Sequence, residues 1–261
     1  MIIHLSTPVA SIEQSSSSVT VTASDGRAFH ARRAILAIPS TLHNTIAFRG
    51  TPAPGLPPAK QRLADAAAST GAFFAKATLV YDRPWWRDNE GTPAGPLNGI
   101  FESVLGPIIY SRNTNVPALG HWSITGSVVG APGARWGAIA DREGRRRAVV
   151  EQLRNGFGAV LGEGGGRERV PEPLAYVEGL WTGEYAGGGG SVPVLGPGVL
   201  TAVGRAAAEP FGRVHFVGSE TAEAWRGYME GAVRSGLRGA EEVVAALGKE
   251  REGGLQAAGK L

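Results

Sequence analysis

Cysteine is absent from all 261 residues, which excludes disulfides, cysteine-ligated zinc, a thiol nucleophile and a thioether bond to any prosthetic group. Long apolar runs are missing as well. No stretch approaches the roughly 18 apolar residues that a membrane-spanning helix needs. The opening ten residues, MIIHLSTPVA, lack the basic start and extended apolar centre of a secretion signal. The expectation is a soluble chain with no membrane span, located in the cytoplasm or in peroxisomes. The peroxisomal alternative comes from the terminal Gly259-Lys260-Leu261, which resembles a Ser-Lys-Leu address.

Charge of one sign is also scarce, since 26 Lys and Arg against 23 Asp and Glu leave a net charge of only +3. The basic residues are scattered, apart from a cluster at Arg142 to Arg147 that is expected to face solvent on a helix, so no nucleic-acid partner is expected. The five histidines, at 4, 30, 43, 121 and 215, show no metal-ligand spacing, and no metal is expected.

Glycine and proline, at 39 and 17 residues, are plentiful and mark a loop-rich globular chain long enough for a large core. Its first 48 residues read as a β-meander: strands at Val9 to Glu13 and Ser18 to Ala23, a turn at Asp25-Gly26, and a nearly continuous apolar strand, RRAILAIP, stopped by Pro39. GTPAPGLPPA, residues 50–59, is an irregular connection where a domain crossing is expected, followed by a helix over Lys60 to Ala68. Phe74 to Tyr81 alternates as a strand whose single charge, Lys76, suggests a buried cation or a lysine snorkelling to the sheet edge. GIFESVLG, PIIYSR and HWSITGSVVG then predict an antiparallel sheet, and Arg142 to Leu161 an amphipathic helix against it.

Towards the end, WTGEYAGGGGSVPVLGPG is too glycine-rich for regular structure and allows backbone to approach a ligand closely. A short helix near Leu200 to Ala208 precedes the strand VHFVG at 214–218. A helix follows from about Gly227 to Leu247, with Met229, Ala232, Val233, Leu237, Ala240, Val243, Val244 and Leu247 on one side. Beyond Gly248 the tail is polar and expected to fray. The most informative stretch is VHFVGSETAEAWRGYMEGAVRSG. Its strand, loop and helix can aim backbone amides and a positive helix end at an anionic or electron-rich group, or Glu220 can cap those amides itself.

GSETAEAWRGYMEGAV closely resembles the carboxyl-terminal flavin-contacting motif of the monoamine oxidase family. The order upstream agrees. PVASIEQ and RRAILAIP resemble that family's flavin-domain meander, FFAKATLVYDRPWWR its catalytic-lysine strand, and EYAGGGGSVPVLGPGVLT its flavin-ring loop. The resemblance, collinear over roughly residues 6–248, implies an α/β (α+β mixed) fold. This would be part of a glutathione-reductase-like FAD-binding domain, residues 1–48 and 182–248, around an inserted sheet-and-helix substrate domain, residues 49–181, with 249–261 as a flexible tail. It implies non-covalent FAD contacted at Val9, Ala37, Trp181, Tyr185, Gly218, Ser219, Glu220, Tyr228 and Met229. Ile38 and Pro39 accompany Ala37 at the strand end. Lys76 and Tyr228 take catalytic roles, the lysine holding a water near the flavin and Tyr228 forming one wall of an aromatic cage. The implied reaction oxidises a small-molecule amine to an imine, then aldehyde and ammonia, with dioxygen reduced to hydrogen peroxide. Polyamine or L-amino-acid oxidation is the alternative within the class, with Arg112 and Glu102 available to read charge, and a catalytically silent fragment or interaction module is the alternative outside it.

Two departures qualify the resemblance. The second cage aromatic would fall within Gly187 to Ser191, where this chain has none. No Gly-x-Gly-x-x-Gly lies between a strand and a helix, so the dinucleotide's pyrophosphate lacks its usual cradle. The expectation is a truncated product, or one piece of an enzyme whose amino-terminal FAD-binding segment is supplied separately.

Overall fold

The computed structural model describes residues 1–52, 54–69, 73–87, 101–102, 106–161, 166–181 and 195–258. The chain divides into two compact units, Met1–Gly71 with Ser191–Leu261, and Ala72–Gly190. Unit 1 opens with β1 (Val9–Gln14), β2 (Val19–Ala23) and β3 (Ala28–Ala31), joined by tight turns. In the second turn the Arg27 amide donates to Asp25 Oδ1 at 3.0 Å and Gly26 takes φ 85°, a conformation that costs glycine little. β4 (Ala34–Leu36) leaves the meander, and β5 (Ala47–Gly50) returns to pair in parallel with β1, giving the order β3-β2-β1-β5. That return depends on Gly50, where a Cβ would stand 1.9 Å from the Gln14 carbonyl oxygen. Helix α1 (Pro58–Ser69) follows and packs Leu63 against Val203 and Ala207 of the chain's second half. Residues 49–69, expected in the inserted domain, therefore belong to unit 1: β5 is tied into the first sheet and α1 into this small core.

Unit 2 is a five-stranded sheet in the order β10-β6-β9-β8-β7. Its elements in chain order are β6 (Phe74–Tyr81), β7 (Phe101–Glu102), β8 (Ile108–Asn113), β9 (Trp122–Val129), α2 (Gly130–Gly137), α3 (Arg142–Leu161) and β10 (Ala175–Leu180). All pairings are antiparallel. The strict alternation of β6 buries Ala75, Ala77, Leu79 and Tyr81 in the core, where Val149, Val150, Leu153 and Phe157 of α3 join them. Tyr81, Trp85, Trp86 and Phe157 pack edge to face, with centroids 5.2–5.9 Å apart. The glycine-rich α2 was not expected as a helix. It forms because Gly133 and Gly137 let the helix lie on the Phe73 ring, where a Cβ at 137 would come within 2.4 Å.

The arginine cluster at the start of α3 is exposed at Arg142 and Arg147, as expected, whereas Arg145 and Arg146 are half-buried. Arg145 makes a two-pronged ion pair with Glu178, Arg146 bonds Glu143 and Glu172, and Arg142 reaches the Tyr176 carbonyl.

The chain re-enters unit 1 through α4 (Val199–Val203), β11 (Val214–Phe216) and α5 (Met229–Ala258). β11 pairs in parallel with β4 as a separate two-stranded sheet. Ile12, Val19, Leu36, Phe48, Val214 and Phe216 close the core between this pair and the meander. The frayed tail expected after Gly248 is helical as far as Ala258, and Glu250 within it holds Arg32, Arg33 and Arg213. These three guanidiniums keep the Glu250 carboxyl well below its ordinary range, at about 2.

Candidate flavin-contacting site

In unit 1 the site grows from the end of β11. Gly218, at φ 122°, sits where a side chain would be strained, and its amide donates to Ser235 Oγ of α5 at 2.9 Å. Ser219–Thr221 then form a single 3-10 turn, closed by the Thr221 amide and hydroxyl on the Gly218 carbonyl. Glu220 does not satisfy the amides of the helix that follows. Its buried carboxylate turns back to Ser40, just after the RRAILAIP strand, and accepts from the Ser40 amide at 2.6 Å and hydroxyl at 2.5 Å. It therefore caps the 3-10 turn at Ser40–Thr45 and locks the two parallel strands' ends together.

The helix starts later than expected, at Met229. Between the turn and the helix the backbone folds over itself, with Trp225 at φ 58° and the Gly227 amide on the Ser219 carbonyl. Gly231 lies directly under Trp225, where a Cβ would stand 2.2 Å from its carbonyl oxygen. Tyr228 and Met229 stand at the helix start, both exposed, with the Tyr228 ring edge-on to Trp225 at 5.9 Å. Val9 packs at the margin of the same core as Leu36 and Phe216, Ala37 is exposed just past β4, and Ile38 and Pro39 are half-buried.

Beside this turn lies a cleft of about 670 Å³ lined by Arg205, Glu220, Thr221, Glu223, Arg226 and Arg238. Arg238 holds it together, donating to the Phe216 carbonyl at 2.8 Å, Thr221 Oγ1 at 3.0 Å and Glu242 at 2.5 Å. Sequence reasoning passed over Arg238. The available signal was an arginine one turn from Glu242 and three residues from a serine, on a helix otherwise rich in glycine and alanine. Arg226 keeps one guanidinium nitrogen buried without a hydrogen-bond partner among the described residues. An unpaired buried cationic donor is costly, so Arg226 suits an anionic group such as a pyrophosphate, while Glu209, Glu220, Glu223 and Glu242 balance the other arginines of the cleft.

A second missed group is Lys60 on α1. It is buried, with Nζ 3.7 Å from the Phe216 ring centroid and donating to the Ala206 and Ala207 carbonyls at 2.5 and 3.3 Å. Burial brings its ammonium down to about 8. Burial, reinforced by Lys60, also holds the neighbouring His43 down at about 4.

In unit 2, Lys76 is not the buried cation suggested by its strand. It lies on the face of β6 opposite Ala75 and Ala77 and is exposed, its Nζ 5.9 Å from the Trp181 ring, which also tilts against Phe74 at 5.6 Å. Trp181 is itself partly exposed. Tyr185 and the Gly187–Ser191 stretch lie outside the described residues, as does the Gly259-Lys260-Leu261 terminus.

Residues 2–244 match the family described as flavin containing amine oxidoreductase. The chain belongs to that family. It is 32% identical over 247 residues to amine oxidase [flavin-containing] B of Canis lupus familiaris, covering 95% of this chain and 44% of the relative. It is 31% identical to an L-amino acid dehydrogenase of Synechocystis over 94% of this chain and 47% of that one. Cyclohexylamine oxidase from Brevibacterium oxydans superposes with a TM-score of 0.74 at 27% identity, covering 92% of this chain and 48% of the oxidase. The chain thus spans slightly less than half the length of these relatives. A mixed α/β fold and a flavin cofactor follow from family membership. Among the described residues no helix is long and apolar enough to cross a membrane.

Proposed function

We propose that this chain forms the flavin-closing and substrate-facing part of an FAD-dependent enzyme that oxidises amines. The observation that carries the reading is the turn at Gly218–Thr221, locked by Glu220 and Ser40 and set beside the unpaired Arg226 donor. FAD when bound would supply the two-electron acceptor, so that an amine loses hydride and a proton to become an imine, which hydrolyses to aldehyde and ammonia while dioxygen is reduced to hydrogen peroxide.

The chain's own residues would bind and orient. Backbone at Gly218 and Ser219 would approach the cofactor closely, and Arg226 would neutralise its phosphate charge. The first turn of α5, with its positive end, would stabilise negative charge on the ring. Val9 and Ala37 would border the cofactor, Trp181, Tyr185 and Met229 would contact it, and Tyr228 would wall the amine. Lys76 would hold a water where a proton must move. With no cysteine in the chain, the cofactor would be held non-covalently.

The test is the visible spectrum of the chain titrated with FAD, alone and with the part of cyclohexylamine oxidase that it does not match. A bound-flavin spectrum that bleaches anaerobically with cyclohexylamine, putrescine or an L-amino acid supports the reading, and the bleaching compound names the substrate class. Failure to bind micromolar FAD in both settings rejects it and leaves the interaction-module reading, which the exposed face of α5 favours.

A further inference from the structure

In unit 1, β1 and β5 end and β4 and β11 begin around one cluster of arginines. Arg32 and Arg33 precede β4, Arg213 precedes β11, and all three share a single carboxylate, that of Glu250, at 2.5–2.7 Å. Three guanidiniums against one carboxylate leave an excess of two positive charges. Arg213 also donates to the Ser15, Ser16 and Arg32 carbonyls, and Arg33 to the Gly212 carbonyl. These neutral acceptors orient the side chains without cancelling their charge.

Beside the cluster opens a cleft of about 410 Å³, whose polar lining is Gln14, Ser15, Ser16, Arg33, Thr51 and Arg213. No acidic residue lines it. The Gln14 side chain, 3% exposed, spends its amide oxygen on the Arg213 amide at 2.5 Å, which leaves Nε2 buried with no hydrogen-bond partner among the described residues. Arg33 Nε is buried and unpartnered in the same way. Gly212 makes this arrangement possible, since a Cβ there would stand 2.6 Å from the Gln14 amide oxygen. Buried donors without acceptors are costly and rare, and here two of them line one cleft. Water would satisfy the donors and leave the excess charge where it is.

We propose that this cleft binds a phosphate group, free or esterified to a small molecule. A phosphate dianion matches the two excess charges. Its tetrahedral oxygens accept from guanidinium, amide and hydroxyl donors that arrive from different directions, whereas a planar, singly charged carboxylate matches neither the charge nor the spread of donors. The volume is that of a small-molecule cleft, with room for the organic part of an ester. The site is separate from the flavin-contacting turn: it stands at the starts of β4 and β11, and Gly218–Thr221 follows the end of β11. The inference does not rest on the flavin reading, and its test uses no flavin.

Calorimetric titration of the chain with inorganic phosphate and with glycerol 2-phosphate, at an ionic strength held constant with sodium chloride, tests the proposal. Saturable binding with Kd below about 2 mM is expected for at least one of them. Similar affinities point to free phosphate, and an ester bound at least about tenfold more tightly points to a phosphorylated small molecule. Gln14→Glu keeps an oxygen for the Arg213 amide but sets a carboxylate against the phosphate, and Arg33→Lys keeps the charge but removes Nε. Each should weaken binding at least about tenfold. Arg27→Met, at the opposite end of the meander and paired with Asp25, should bind as the parent does. Hydrogen exchange at the Arg213 amide of the parent chain should slow at least about fivefold at saturation, which covers a variant that does not fold. Binding weaker than about 2 mM for both probes overturns the proposal. So does a folded Gln14→Glu or Arg33→Lys that binds like the parent, or sodium acetate that competes as well as phosphate, which would mark a general attraction of anions.

Discussion

Ser40 offers both its backbone amide and its hydroxyl to one carboxylate, that of Glu220, at 2.6 and 2.5 Å and across 180 residues of sequence. Both residues are buried, and the two hydrogen bonds close the turn on which the flavin reading depends. A hydrogen bond to a charged group contributes about 1.5–3 kcal/mol, and stranding its buried partner costs a similar amount. Glu220→Ala should therefore lower unfolding free energy by about 3 kcal/mol in urea titration. Glu220→Gln, which keeps one acceptor, should lose about half of that. A loss under about 0.5 kcal/mol for Glu220→Ala, the size of an ordinary surface substitution, would show that the clamp does not hold the turn.

Much of this architecture was legible because alternation and helical spacing are local. The reading places β6 and α3 on the residues where they are found, since Ala75, Ala77, Leu79 and Tyr81 repeat every second residue and the apolar positions of α3 repeat at helical spacing. Parallel pairings were not legible: β5 returns to β1, and β4 finds β11 about 180 residues later, so nothing nearby announces either. Which side of α5 packs is not legible in its apolar spacing, for a physical reason. Bulk marks the core on most helices, but here Gly231, Ser235 and Gly239 allow close approach to the loop and strand, and the bulky residues face out. Lys76 is open in the same way, because one charge on an apolar strand suits burial as well as the second face of an alternating strand, and the structure shows the exposed face. The family motif itself was legible from GSETAEAWRGYMEGAV, but the role of Glu220 was not, since its partner is far away in sequence.

Lys60 should give the protein an alkaline dependence of stability. Its folded value, about 8, lies below the ordinary 10.5, so between these values the unfolded chain binds more protons and stability rises with pH. Relative to Lys60→Met, the parent chain should gain about 2 kcal/mol between pH 8 and 10. Parallel urea titrations at the two pH values measure it, and equal slopes for parent and variant would refute it.

His43 carries the acid counterpart. Held near 4 by burial and by Lys60, it is neutral in the folded chain, whereas the unfolded imidazole charges below its ordinary 6.5. The contribution is therefore complete above pH 6.5 and lost as pH falls towards 4. His43→Phe should flatten the fall of melting temperature between pH 6.5 and 4.5, as read by calorimetry. A parallel fall in the variant would place the acid sensitivity elsewhere.

The Arg145–Glu178 pair should be a stability element of unit 2. Both side chains are largely buried, the guanidinium reaches both carboxylate oxygens, and Tyr176 adds its hydroxyl at 2.7 Å. Arg145 is the leading cause of the lowered Glu178 carboxyl. Arg145→Met strands a carboxylate and should cost about 2–4 kcal/mol, whereas the double variant Arg145→Met with Glu178→Leu should recover more than half. A double variant no better than the single one would mean that packing, not charge, is lost.

Arg226 and Lys76 make opposite predictions and together separate binding from chemistry. Arg226 lines the cleft beside the turn and keeps a buried donor unpaired among the described residues, so Arg226→Met should weaken FAD binding about tenfold, equivalent to about 1.4 kcal/mol, and should not destabilise the chain. Lys76 is exposed on β6, its ammonium resting near the Trp181 ring and outside the core, so Lys76→Met should change unfolding free energy by less than about 0.5 kcal/mol. In protein reconstituted with flavin, Lys76→Met should leave FAD affinity unchanged while slowing turnover at least tenfold, the size expected when a group that positions a moving proton is removed. If Lys76→Met weakened FAD binding as much as Arg226→Met, the lysine would belong to the cofactor's binding set. If turnover were unaffected, the catalytic role implied by the family resemblance would be excluded.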